Sequence, residues 1–235
     1  MSRILVIDDD RNSCEALSDC LRAEGFETVH DSGRELTRTV PGADLYDLIV
    51  LSMTLPGVSG FEVLKSLRPR CDTPVVMLTT RDRKAEGIIG LEMGADAFML
   101  KPFNPRELIA YARTILRRTR DRSGRAPQTI RVGDVELDPT SRVIRHFGEQ
   151  IHLTPVEFGF LEMLLRAAGR VIPSEQLAET VLGRALSPYD RSVSVHMGNL
   201  RKKLGHGPDE IERIINVRGR GYLYVNPKNH DCLSQ

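Results

Sequence analysis

The chain has 235 residues, with 33 Lys/Arg against 32 Asp/Glu and a formal net charge of +1. That length suits two domains of ordinary size, and the near-zero balance excludes a uniformly basic nucleic-acid coat. No run approaches the roughly 18 apolar residues of a membrane helix. The N-terminus MSRILVIDDD enters a strand with no leader pattern. Cys14, Cys20, Cys71 and Cys232 show neither CxxC nor metal-ligand spacing. A cytoplasmic protein with reduced thiols and no membrane partner is expected. Divided along the chain, charge becomes informative. Residues 1–120 hold 17 basic and 18 acidic side chains, whereas residues 191–220 hold seven basic and three acidic ones, a local excess near the C-terminus.

Ile4–Ile7 predicts a first strand. Asn12 or Ser13 can cap a helix to about Ala23, with Ala16, Leu17 and Leu21 on one face. Phe26–His30 predicts a short strand, Gly33–Val40 a helix, and Asp47–Leu51 a third strand. Pro56, Gly57 and Gly60 then break the chain into a loop. Ser59 precedes a helix over Phe61–Leu67, with Phe61, Leu64 and Leu67 on its buried face. Val75–Leu78 predicts a fourth strand, followed by a weakly periodic helix that Gly94 stops. After the strand Ala97–Leu100, Asn104-Pro105 opens a last helix to about Arg118. Strands alternating with helices predict an α/β domain, a doubly wound parallel sheet with right-handed crossovers. The short apolar runs suit strands buried on both faces. Four of them end in polar residues: Asp8-Asp9-Asp10, Ser52, Thr79 and Lys101. The carboxyl edge of such a sheet is where open α/β folds keep their sites.

Arg117–Gln128 is a polar, basic linker without apolar periodicity. From Thr129 short alternating segments suggest hairpins: Ile130–Val132, Val135–Leu137, Arg142–His146 and Gln150–Leu153. Thr154-Pro155 caps an apolar helix to about Ala168, with Glu157 completing a capping box. Ser174 is expected to cap a short helix over Glu175–Val181. A third helix is expected over Tyr189–Leu204. Ile214–Val217 and Tyr222–Val225 flank the basic turn Arg218-Gly219-Arg220-Gly221. Three helices followed by a Gly/Arg hairpin read as a winged helix-turn-helix.

With these pieces in place, the chain resembles the OmpR/PhoB family of two-component response regulators. Residues 1–118 resemble its receiver domain and 129–228 its DNA-binding domain, joined by a linker over 119–128 and followed by a tail over 229–235. The matching segments of the second half are LTPVEFGFLEML, RSVSVHMGNLRKKL and VRGRGY. The resemblance implies a Mg²⁺ site at Asp8, Asp9 and Thr54, a switch pair Thr79 and Phe98, and a pocket lysine, Lys101. It also implies phosphotransfer from a sensor histidine kinase to a strand-end aspartate. That position is Ser52, which departs from the pattern. Serine lacks the ionised carboxylate that an acyl phosphate requires, and it removes a third carboxylate from the cation site. Ser52 could instead receive phosphate from an unrelated kinase, the domain could take another input, or the serine could be a deliberate replacement. A receiver without standard phosphotransfer is the favoured reading. The resemblance further implies a homodimer face carrying Asp96, Glu107, Arg113 and Arg117. Gly87, Ala97 and Tyr111 stand where a basic residue, an Asp and an Arg are usual, so part of that charge network is gone.

Drawn at about 100° per residue, the helix Tyr189–Leu204 has Val193, Met197, Leu200 and Leu204 in one inward stripe. Arg191, Val195, Gly198 and Lys202 lie opposite, with Asn199 and Arg201 beside them. Basic side chains can pair with guanine, Asn199 with adenine, and Val195 can touch a thymine methyl. His196, Arg201 and Lys203 are assigned toward phosphates, and Arg218 and Arg220 to the wing. Double-stranded promoter DNA and, through the family, RNA polymerase are the expected partners. An enzyme that transfers phosphate at the acidic edge is disfavoured, because no general base is evident beside Ser52. A receiver-based interaction module is the other alternative.

Overall fold

The computed structural model describes residues 1–34, 39–80, 83–120, 129–187, 190–206 and 212–225, without the side chains of residues 84 and 117–120. It divides into two units, Met1–Arg117 and Arg118–Gln235. The first is a parallel sheet of β1 (Arg3–Ile7), β2 (Glu27–Asp31), β3 (Leu48–Ser52), β4 (Val75–Thr80) and β5 (Ala97–Lys101), in the order β2-β1-β3-β4-β5. The central strand β3, LIVLS, is buried at every position, whereas the edge strands β2 and β5 are only partly covered. Helices on both faces explain why the inner strands are unbroken apolar runs rather than alternating ones. α1 (Arg11–Ala23) buries Cys14, Leu17, Ser18 and Leu21 at helical spacing. α2 (Gly60–Leu67), α3 (Lys84–Glu92) and α4 (Pro105–Arg120) complete the unit.

Several local expectations need correction. Asp10, not Asn12 or Ser13, caps α1: its carboxylate accepts from the Ser13 amide at 3.3 Å and from the Ser13 hydroxyl at 2.5 Å. Half of the helix expected over Gly33–Val40, residues 35–38, lies outside the described residues, and the described residues on either side of it are not helical. On α2 the buried positions are Val63, Leu64 and Leu67, with Phe61 only half-buried. The capping box of Ser59 and Glu62 starts that helix.

The second unit opens with an antiparallel sheet of β6 (Ile130–Val132), β7 (Val135–Asp138), β8 (Val143–His146) and β9 (Glu149–Ile151). α5 (Pro155–Arg166) begins at the expected Thr154/Glu157 capping box. β10 (Val171–Ile172), a strand the sequence reading lacked, pairs with the wing. α6 (Ser174–Leu177) runs on into a π-helical turn over Ala178–Leu182. Pro173, not Ser174, precedes α6, with no side-chain cap. α7 (Ser192–Leu204) is followed by β11 (Ile214–Val217) and β12 (Gly221–Tyr224), which join β10 in the order β10-β12-β11. α7 begins at Ser192 rather than Tyr189, which lies outside the described residues. The linker at 121–128 and the tail at 229–235 also lie outside them.

A buried charge cluster ties this unit together. Arg213, at the foot of β11, donates to Asp134 in the β6–β7 turn at 2.6 Å, to the His206 carbonyl at 2.9 Å, and toward His146 Nε2 at 3.0 Å. Burial pushes the Asp134 carboxyl up, but the hydrogen bond and charge of Arg213 outweigh it and hold the group below its ordinary range. None of the described helices is long and apolar enough to cross a membrane.

Candidate functional site

The strand order reverses direction between β1 and β3, which leaves a crevice at their carboxyl ends. Because Ile7 pairs in register with Leu51, the next residues, Asp8 and Ser52, reach the same edge. Ser52 is 3% exposed and Asp8 1%. The chain can turn back from this edge only because α2 starts with a glycine. A Cβ at Gly60 would lie 2.3 Å from the Ser52 carbonyl oxygen.

Within the pocket, Lys101 Nζ forms an ion pair with the Asp8 carboxylate. Asp8 Oδ1 also accepts from the Asp10 amide at 3.2 Å, and its carbonyl accepts from His30 Nε2 at 2.9 Å. Ser52 Oγ donates to the Thr54 carbonyl at 3.1 Å, and no general base among the described residues bonds to it. Thr79 is buried and donates to the Arg83 carbonyl at 3.4 Å. Asp9 and Thr54 face outward. Burial, with the Asp8 charge beside it, pushes the neighbouring Cys14 thiol up to about 12, so it is no nucleophile at neutral pH. The pocket thus joins Asp8, Ser52, Thr79 and Lys101, but its one buried carboxylate is already neutralised.

The expected dimer face is only partly available. The Asp96 carboxylate is fully buried and accepts from Arg68 Nη2 and from the Val75 amide, each at 2.9 Å. Arg68 also donates to the carbonyls of Gly94, Cys71 and Thr73, so this pair serves the sheet's own edge. Arg113 pairs with Glu24 at the C-cap of α1. Glu107 is exposed, and the Arg117 side chain lies outside the described residues. Gly87 has a packing reason of its own, because a Cβ there would come 2.5 Å from the Phe98 ring.

On α7 the inward stripe of Val193, Met197, Leu200 and Leu204 is buried as expected, and Arg191, Ser194, Val195, Gly198 and Lys202 are the outward positions. Four assigned DNA contacts are otherwise engaged. His196 is 1% exposed and stacks against Phe160 with ring centroids 5.7 Å apart, and Asn199 is 6% exposed. Both are buried because α7 is held on two sides. Lys203 Nζ meets Glu157 of α5 at 2.7 Å. Arg201 Nε donates to the Ile214 carbonyl of the wing at 2.8 Å and lies 3.1 Å from Glu212. Arg201 and Lys203 are therefore staples between α7 and its neighbours. Arg218 and Arg220 are exposed at the β11–β12 turn.

The sequence reading missed the device that starts α7. Asp190 accepts from the Ser192 amide at 2.9 Å and from the Ser192 hydroxyl at 2.6 Å, while Arg184 pairs with Asp190 and donates to Ser192 Oγ at 2.9 Å. Asp190 stands one residue before the N-cap Arg191, which has no side-chain cap of its own, and the Asp-x-Ser spacing was a usable helix-start signal. Gly198 stands apart from Gly60 and Gly87. Its backbone is ordinary helix, and a Cβ there would meet nothing within 4 Å. A mid-helix glycine costs about 1 kcal/mol relative to alanine, and nothing among the described residues requires this one.

Residues 4–113 match the family described as response regulator receiver domain, and residues 148–224 match the transcriptional regulatory protein, C terminal, family. The chain is 37% identical over 233 residues to the transcriptional regulatory protein CpxR of Escherichia coli (strain K12), covering 96% of this chain and 99% of that protein. It is 38% identical over 222 residues to the DNA-binding response regulator MtrA of Mycobacterium tuberculosis (strain CDC 1551 / Oshkosh), covering 94% and 95%. Among solved structures, a RitR mutant matches in fold with a TM-score of 0.71 at 22% identity, over 95% of this chain and 99% of that one. With both domain families present in this order, and full-length relatives at this identity, the chain belongs to the OmpR/PhoB family of DNA-binding transcriptional response regulators.

Proposed function

We propose that this regulator reads double-stranded promoter DNA with the outward face of α7 and the β11–β12 wing, and that its receiver takes an input other than an acyl phosphate at residue 52. Arg191 and Lys202 can meet guanine or phosphate, Val195 a thymine methyl, and Arg218 and Arg220 the adjacent backbone or minor groove. The exposure of Arg191, Lys202, Arg218 and Arg220, with Val195 half-buried among them, in a domain of this family supports that assignment.

The observation that carries the second half is the buried hydroxyl at the acceptor position, next to an Asp8 carboxylate already paired with Lys101. An acyl phosphate forms only on a carboxylate. An alcohol would need a base to give up its proton, and Ser52 donates to a carbonyl instead. Receiver domains generally hold Mg²⁺ at this place. Here the donors are one carboxylate neutralised by lysine, one outward carboxylate and a hydroxyl, a poor match to a hard divalent cation. A sensor histidine kinase would have to act by contact rather than by charging residue 52. Dimerisation through α3, β5 and α4 would rest on Glu107 and the exposed Ile89 rather than on Asp96. RNA polymerase is the partner expected of a promoter-bound regulator.

The test is intact mass after incubation with acetyl phosphate and Mg²⁺, followed by retardation of a promoter fragment. The wild type stays unmodified and still retards the fragment in a salt-sensitive way, while Ser52→Asp gains one phosphoryl group. A stable phosphoryl adduct on wild-type Ser52 would overturn the proposal.

A further inference from the structure

Gly198 is the residue of α7 that the protein itself does not account for. It lies mid-helix on the outward face, one turn from Ser194 and Val195 on one side and from Lys202 on the other. Gly60 and Gly87 are each required by an atom that a Cβ would strike, whereas at Gly198 that space is open. A helix stabilised by any side chain here nonetheless carries none. The cationic groups Arg191 and Lys202 flank the gap and draw a polyanion toward it.

From this we infer that Gly198 determines specificity by absence. The backbone of α7 seats directly against the edge of one base pair, at a distance that a single methyl group would prevent. The inference rests on the reading of α7 as the DNA-reading helix and adds a site to it. Close approach of backbone to a ligand is what glycine allows and other residues do not. The flanking contacts to phosphate lie along the helix edges and do not depend on this clearance.

The experiment uses the full chain as wild type and as Gly198→Ala. Each is tested against the duplex that the wild type enriches from a random library, against single base-pair replacements of it, and against unrelated duplex. The variant should melt a few degrees higher, about 4 °C for a domain of this size. It should bind the enriched duplex about tenfold more weakly, as an overpacked contact does. Binding to unrelated duplex should be unchanged. At one base pair, the penalty for replacement seen with the wild type should vanish in the variant. Equal affinity of wild type and variant for the enriched duplex would overturn the inference. So would an equal loss on enriched and unrelated DNA, which would signal a change in backbone spacing rather than in base reading. If the wild type retards no duplex at all, the reading of α7 falls and takes this inference with it.

Discussion

The pocket at the sheet edge and the outward face of α7 hold similar side chains and treat them in opposite ways. In the pocket, Asp8 and Lys101 neutralise each other, Ser52 donates to a carbonyl, and Thr79 donates to another. Its polar groups are satisfied from within the receiver. On α7 and the wing, Arg191, Lys202, Arg218 and Arg220 are exposed, and among the described residues no acidic side chain pairs with them. The edges of the same helix are handled like the pocket, since Lys203 is spent on Glu157 and Arg201 on Ile214 and Glu212. Charge that holds the fold and charge offered to a partner therefore sit on one helix, about one residue apart. The difference is whether an acceptor of the same chain lies within reach.

The largest effect should come from breaking the internal kind. Lys101→Ala leaves the Asp8 carboxylate buried without its cation, and loss of one partner of a buried pair costs about 3 kcal/mol. The receiver transition in a urea titration should move to markedly lower denaturant. The chain has no Trp, so far-ultraviolet circular dichroism rather than indole fluorescence is the probe. An unmoved transition would mean that Asp8 is neutral or hydrated, and that the pocket is not self-satisfied. Breaking the offered kind should do the reverse. Arg220→Ala should leave stability within about 0.5 kcal/mol, as surface replacements usually do. It should weaken binding to all duplexes alike and reduce the slope of log affinity against log salt by about 1. A loss confined to one sequence would make Arg220 a base reader instead.

How much of this was legible beforehand follows the same division. The buried strands announced themselves as apolar runs, because a strand covered on both faces has no polar alternation to hide in. The capping box at Thr154 was a local signal, and the structure has it; the box of Ser59 and Glu62 was equally local and was read only as a helix start. The engagement of Asp8 by Lys101, or of Asp96 by Arg68, depends on partners far apart in the chain, which no window of sequence displays. The helical wheel placed Val195 and Lys202 correctly but left Asn199 and His196 on the reading side. A wheel supplies directions, not the width of the buried arc. Here α5 and the wing grip α7 from two sides and widen it.

A smaller loss of stability than that of Lys101→Ala is expected where the two kinds of charge meet, at the root of α7. Asp190 is a partly buried carboxylate that fastens the first turn of the helix whose outer face is offered to DNA. Burial pushes its carboxyl up, but hydrogen bonds from Arg184 and Ser192 and the charge of Arg184 outweigh that and hold it below the ordinary 3.8. A carboxyl depressed in the folded state adds stability above its unfolded pKa, and that stability is lost as pH falls through the folded value. Asp190→Asn keeps the cap geometry and removes the charge. It should cost about 1 kcal/mol at pH 7, the worth of a charged hydrogen bond that is partly screened. The gap in melting temperature between wild type and variant should persist down to about pH 4 and close below the ordinary carboxylate range, because there the wild type is protonated as well. A gap that stayed constant down to pH 2 would place the effect in shape rather than charge. The start of α7 would then rest on the shape of its hydrogen bonds, unlike the Asp8–Lys101 pair of the receiver pocket.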